Sequence, residues 1–130
     1  MGIRFEKDTI LNWINEMGKF LRLIVDRYEH FDPEAEELDV EKGYKDFFLV
    51  DRSFFVEEDE SALANFADGL EPEQVRPLAQ LLMYDGLLQD DKNLLKKAKF
   101  LFERNMSKTG AFSFEDYGFL AKIDQAIAKP

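Results

Sequence analysis

Residues 8–31 read DTILNWINEMGKFLRLIVDRYEHF. Ile10, Ile14, Met17, Leu21, Ile24, Tyr28 and Phe31 follow alternating spacings of four and three, so one seam of a helix is apolar at every turn. Trp13, Phe20 and Val25 widen the stripe, while Asn12, Asn15, Glu16, Lys19, Arg22, Asp26 and Glu29 take the opposite side. Asp8 suits the N-cap, and the helix is expected to run to His30. A helix this long and amphipathic must bury its stripe against others, which points to an all-α fold with this helix at its centre. Gly18 lies on the apolar side, where a missing side chain would admit a neighbouring helix at a propensity cost of about 1 kcal/mol.

Outward from that segment the signals remain helical. Asp32-Pro33 reads as an N-cap followed by proline in the first helical position, opening a second helix through Leu38, Tyr44, Phe47 and Phe48. Phe47 to Val56 also suits short strands, but two short runs without further strands make a marginal sheet, and we read helix ends and a turn. Glu57-Glu58-Asp59-Glu60 precedes a short helix ending near Gly69, with acids complementing the dipole and glycine suiting a left-handed cap. Glu71-Pro72-Glu73 opens a helix carrying Val75, Leu78, Ala79, Leu82 and Met83 to about Leu88, with Pro77 tolerable only in the first turn. Asp90-Asp91 caps a further helix to Met106, and Ser107 to Gly110 is a turn. Ser113-Phe114-Glu115-Asp116 resembles a capping box and leads Tyr117, Leu120, Ala121, Ile123 and Ile127 into a last helix. The expectation is one all-α domain over residues 1–130, a compact bundle of five to six helices.

Residues 82 to 105 resemble the tetratricopeptide repeat, a helix pair marked by a large residue, a Gly four positions on, an Ala twelve further and an aromatic four beyond that. Leu82, Gly86, Ala98 and Phe102 fall at those spacings, whereas Asp85, Gln89, Asn105 and Gly110 replace the expected leucine, tyrosine, alanine and proline. No second copy occurs at that period, and an array needs about three repeats. The chain is thus similar to small bacterial all-helical domains that pair one degenerate tetratricopeptide-like hairpin with a long amphipathic first helix. That resemblance implies a packing mode and a binding role, and it transfers no catalytic residue.

Composition narrows the chemistry. With 45% hydrophobic residues, 13 of them Phe, the chain is far too apolar for a disordered acidic polymer despite a net charge of −10. The absence of cysteine removes disulfides, thiolate nucleophiles and zinc-thiolate sites together. No apolar run approaches a membrane span, and the start lacks a basic region followed by an apolar stretch, so a cytoplasmic location is expected. Charge is unevenly placed: Asp32 to Asp68 holds 13 acids against 3 bases, and the remaining 93 residues carry 14 of each. Such a segment repels anionic surfaces and attracts basic ones, and neither a nucleic-acid nor a membrane partner is expected.

Catalytic apparatus is not visible. His30, the only histidine, is expected at a helix end, where it would favour the dipole and stand within reach of Asp26 four residues earlier. There is no zincin motif, glycine-rich phosphate loop or Gly-x-Ser-x-Gly elbow. Asp51 and Glu57 to Glu60 lack the alternating ligands and central glycine of a calcium loop, and no metal or cofactor is expected. Lys92, Lys96, Lys97, Lys99, Arg104 and Lys108 make a basic patch that reads as an internal complement to the acidic segment.

The sequence is therefore read as a non-enzymatic protein-interaction or assembly module. Glu57, Glu58, Asp59, Glu60, Lys96 and Lys97 are its partner-facing candidates, and a seam beginning at Ile10 and containing Trp13, Leu21 and Ile24 its candidate homo-oligomer interface. The alternative is a small-ligand protein or enzyme, with a Phe-lined cavity near residues 47–66 closed by acids such as Glu57 to Asp59. A third reading makes the acidic segment a polyanion mimic in the basic site of a nucleic-acid-binding protein.

Overall fold

The structure is a computed structural model that describes residues 7–29, 39–110 and 113–130. Seven helices lie among those residues: α1 (Lys7–Glu29), α2 (Val40–Phe48), α3 (Arg52–Glu57), α4 (Glu60–Asp68), α5 (Pro72–Gln89), α6 (Lys92–Thr109) and α7 (Phe114–Ala128). No strand occurs among them, so the helical reading of Phe47 to Val56 holds. The count exceeds five or six because that stretch holds the end of α2, a turn and the six-residue α3. His30, Phe31, Asp32-Pro33 and Phe112 lie outside the described residues.

The central helix is α5, not α1. Leu81, Leu82, Met83, Tyr84, Asp85 and Gly86 are six consecutive buried residues, so α5 is covered on every side there, whereas an amphipathic helix such as α1 covers one face only. Helix α1 packs on one side of α5, burying Met17 and Ile24, and α6 returns along it as an antiparallel hairpin partner, burying Leu94, Leu95, Ala98 and Leu101. Helix α7 lies against α6, with the Phe102 and Phe119 rings stacked at 5.5 Å. Helices α2, α3 and α4 carry the chain from α1 across to α6.

Local chemistry sets the joints. Asp39, Asp59, Asp91 and Ser113 are the side-chain N-caps of α2, α4, α6 and α7, accepting from the Lys42, Ala62, Leu94 and Asp116 amides respectively. Three helices end on a left-handed residue, at Leu49 (φ 64°), Asp90 (φ 53°) and Gly110 (φ 67°). Gly69 was expected in that role, but its φ of −83° is right-handed, with the Gly69 and Leu70 amides bonding the Phe66 and Ala67 carbonyls in a tight last turn. Ser107 to Thr109, expected in a turn, continue α6, and Gly110 is its left-handed C-cap. Pro77 is the sixth residue of α5 rather than part of its first turn, and it removes the amide that would bond the Glu73 carbonyl. At α7 only half the expected capping box forms, since the Asp116 carboxylate accepts from Arg76 Nε at 2.6 Å.

Close approach occurs at glycines other than Gly18, beside which a side chain would meet nothing within 4 Å among the described residues. On α2, the Phe20 ring occupies the place that a Cβ of Gly43 would take. In the hairpin, a Cβ at Gly86 would stand 2.9 Å from Leu95 Cγ and 3.1 Å from the Leu95 backbone nitrogen. These two contacts bring α1 to α2 and α5 to α6.

Candidate interaction surface

Six residues are too few for a helix to stand alone, so α3 must be held by its surroundings. At its start Arg52 reaches back into the core, where Nε lies 2.8 Å and one terminal nitrogen 3.2 Å from the two oxygens of Asp85. The Tyr44 hydroxyl donates to the same carboxylate at 2.6 Å. Tyr44 and Asp85 are fully buried, and the pair ties α2, α3 and α5 to one point. Burial, then the adjacent Asp85 charge, pushes the Tyr44 phenol well above its ordinary range, and the hydrogen bond to Asp85 raises the Arg52 guanidinium.

At its other end Lys97 of α6, itself buried, donates its ammonium to the Phe55 carbonyl at 2.6 Å and the Val56 carbonyl at 3.0 Å. A cation there satisfies carbonyls that the last turn leaves open. Between the two anchors Phe55 packs its ring 5.0 Å from Tyr44 and 5.4 Å from Phe66. The short helix is therefore clamped at both ends and in the middle.

That clamping determines what faces out. Glu57, Glu58, Asp59 and Glu60 are all exposed at the junction of α3 and α4. Asp59 caps α4, while the side chains of Glu57, Glu58 and Glu60 make no hydrogen bond or ion pair among the described residues. An open groove of about 700 Å³ lies on one side of the junction, with Leu49, Val50 and Phe54 against Asp51, Glu57 and Glu58. A second, of about 760 Å³, lies on the other and brings Glu57, Asp59 and Glu60 together with Lys96 and Lys97. Of the partner-facing candidates, five thus share one groove and Glu58 belongs to its neighbour.

Lys97 is not a free cation, because its ammonium is taken up beneath α3. Lys96 is exposed and without a partner among the described residues. The rest of the basic patch is occupied within the chain: Lys99 pairs with Asp124 at 2.9 Å, Arg104 and Lys108 with Asp68 at 2.8 and 2.7 Å, and Lys92 with the Lys129 carbonyl. Hydrogen bonds from Arg104 and Lys108 hold the Asp68 carboxyl down at about 2. Trp13 and Ile24 of the candidate oligomer seam are buried by the chain itself, Trp13 also donating Nε1 to the Phe47 carbonyl at 3.0 Å. Leu11 and Leu23 are the strongly exposed apolar residues of α1.

Phe48 and Phe55 are buried, and Phe47, Phe54 and Phe66 pack against the core, whereas Phe114, also expected to fill space, is exposed at the start of α7. The grooves beside residues 47–66 are open, and the acids expected to close a cavity there stand on the surface. No group of three or more metal-ligating side chains is gathered among the described residues, and none of their helices is long and apolar enough to cross a membrane. Sequence reasoning missed Arg52, Tyr44 and Asp85. The available signal was Asp85 itself, a charge inside the apolar run of α5 and at the position where the repeat motif has leucine. No protein-family model, curated protein or solved structure matches the chain.

Proposed function

We propose that the chain is a non-enzymatic protein-interaction or assembly module of the cytoplasm, and that its contact surface is the acidic junction between α3 and α4. The observation that carries this reading is the contrast between the two sides of α3. Its inner side is held by Asp85, Lys97 and the packing of its own Phe55, and at its outer end the junction with α4 presents Glu57, Glu58 and Glu60 without partners among the described residues. Charges held on a rigid support and left uncompensated raise encounter rates with an oppositely charged partner and disfavour a like-charged one.

What supports a tetratricopeptide-like reading of the α5 and α6 hairpin is that Leu82, Gly86, Ala98 and Phe102 are all buried and that Gly86 lies against Leu95. On this reading the departure at Asp85 is what couples the hairpin to the interaction surface. The test is retention of partners from a native-host extract by the immobilised chain. The comparison is a variant carrying Glu57→Gln, Glu58→Gln, Asp59→Asn and Glu60→Gln, with Asn preserving the cap. A stoichiometric partner that is lost with the four carboxylates and weakened by salt supports the proposal. A partner indifferent to both, or none from folded protein at low salt, refutes it.

A further inference from the structure

Leu49 is out of place twice over. It ends α2 in the left-handed region at φ 64°, where a β-carbon is strained and glycine is the usual occupant, and it is 69% exposed. Stability alone would favour glycine there. Its side chain instead stands beside Val50 and Phe54 in the groove of about 700 Å³, making a solvent-facing apolar floor. The rim is acidic: Lys45 neutralises Asp51 across 3.2 Å, but Glu57 and Glu58 are left uncompensated, and Arg52, the other nearby cation, is turned inward to Asp85.

From this juxtaposition of an apolar floor and an anionic rim we propose that the groove between α2 and α3 docks a basic amphipathic segment of a protein partner. An apolar side chain would seat against Leu49 and Phe54, and flanking Lys or Arg side chains would face Glu57 and Glu58. The inference rests on the interaction reading above and adds to it the seat and the class of partner. Charge complementarity selects a cationic segment over nucleic acid or an anionic bilayer. A second copy is disfavoured because, Lys96 apart, the basic face of α6 is occupied within its own chain, by Asp68, Asp124 and the carbonyls at the end of α3.

The test titrates full-length chain with three synthetic peptides of one length: alternating Leu and Lys pairs, the same peptide with Glu for Lys, and the same with Ser for Leu. The Leu/Lys peptide is expected to bind at least about tenfold more tightly than either counterpart, and less tightly as salt rises. Leu49→Gly should lower that affinity about tenfold while leaving the thermal midpoint equal or higher, since it relieves the backbone at the same stroke. Glu57→Gln with Glu58→Gln should weaken binding and flatten its salt dependence, whereas Glu73→Gln, on exposed α5 surface, should do neither.

Peptide binding that ignores Leu49 but needs the two glutamates overturns the groove and leaves the interaction surface standing. Indifference to both overturns the interaction surface as well. Preference for the Glu or Ser peptide overturns the partner class, and self-association in sedimentation that disappears with Leu49→Gly would make the occupant a second copy and overturn the proposal.

Discussion

Replacing Asp85 by Leu, the residue the repeat motif has at that position, tests whether the buried carboxylate holds α2 and α3 to the hairpin. Asp85 is 1% exposed in its side chain and Arg52 24%, so the guanidinium keeps some access to water when its partner is removed. Breaking a buried pair from one side costs about 3–5 kcal/mol, and that partial access places Arg52 near 3. The Tyr44 hydroxyl is fully buried and has no water to turn to, so its lost acceptor adds about 1 kcal/mol. A total of about 4 kcal/mol is a large share of a stability of 5–15 kcal/mol and corresponds to a fall in Tm of about 15 °C.

Trp13 is the only tryptophan, buried and bonded to the end of α2, so urea unfolding followed by its fluorescence reports the affected region directly. The matched control is Tyr44→Phe, Arg52→Met and Asp85→Leu together, which replaces the network by apolar groups and should return to within about 1 kcal/mol of the parent. The reasoning fails if Asp85→Leu alone costs less than about 1 kcal/mol, or if the triple variant is no better than the single one.

Alkaline stability should report on the same site. Tyr44 has a raised folded pKa, so its contribution is complete below the unfolded value of about 10 and declines above it, as the unfolded chain releases the phenolic proton first. Urea midpoints measured on either side of about pH 10 should fall more steeply for the parent than for Tyr44→Phe. On the acid side, Asp68 should titrate at about 2 by carbon NMR, its stabilising contribution present above the ordinary carboxylate range and lost as pH falls through that value. Arg104→Gln should move this titration up towards 3.8, and an unmoved value would deny the pairing. Gly86→Ala should destabilise by about 1–3 kcal/mol, because the added methyl meets the Leu95 backbone as well as its side chain. Gly18→Ala on α1, with nothing within 4 Å of the added methyl among the described residues, should instead stabilise slightly, and thermal scans of the two variants decide the comparison.

Much of the fold was legible in the sequence because it depends on short-range rules. The spacing from Ile10 to Tyr28 specifies an amphipathic helix by the 3.6-residue repeat alone, and Asp91 and Ser113 are readable as caps because their short side chains reach only amides two or three residues ahead, whereas the caps at Asp39 and Asp59 were not singled out. The exposure of Glu57 to Glu60 was likewise readable, since four adjacent acids have no economical way to be buried. Tertiary structure alone decided that α5 is the central helix, that Lys97 lies beneath α3 and that Asp85 meets Arg52 and Tyr44. Those partners are separated by 33 and 41 residues, and a charge of the same type is solvated or buried according to what the fold brings opposite it. Leu49 carries both lessons: its apolar character is written in the chain, but its left-handed backbone and its place in the lining of a groove follow from how α2 turns into α3.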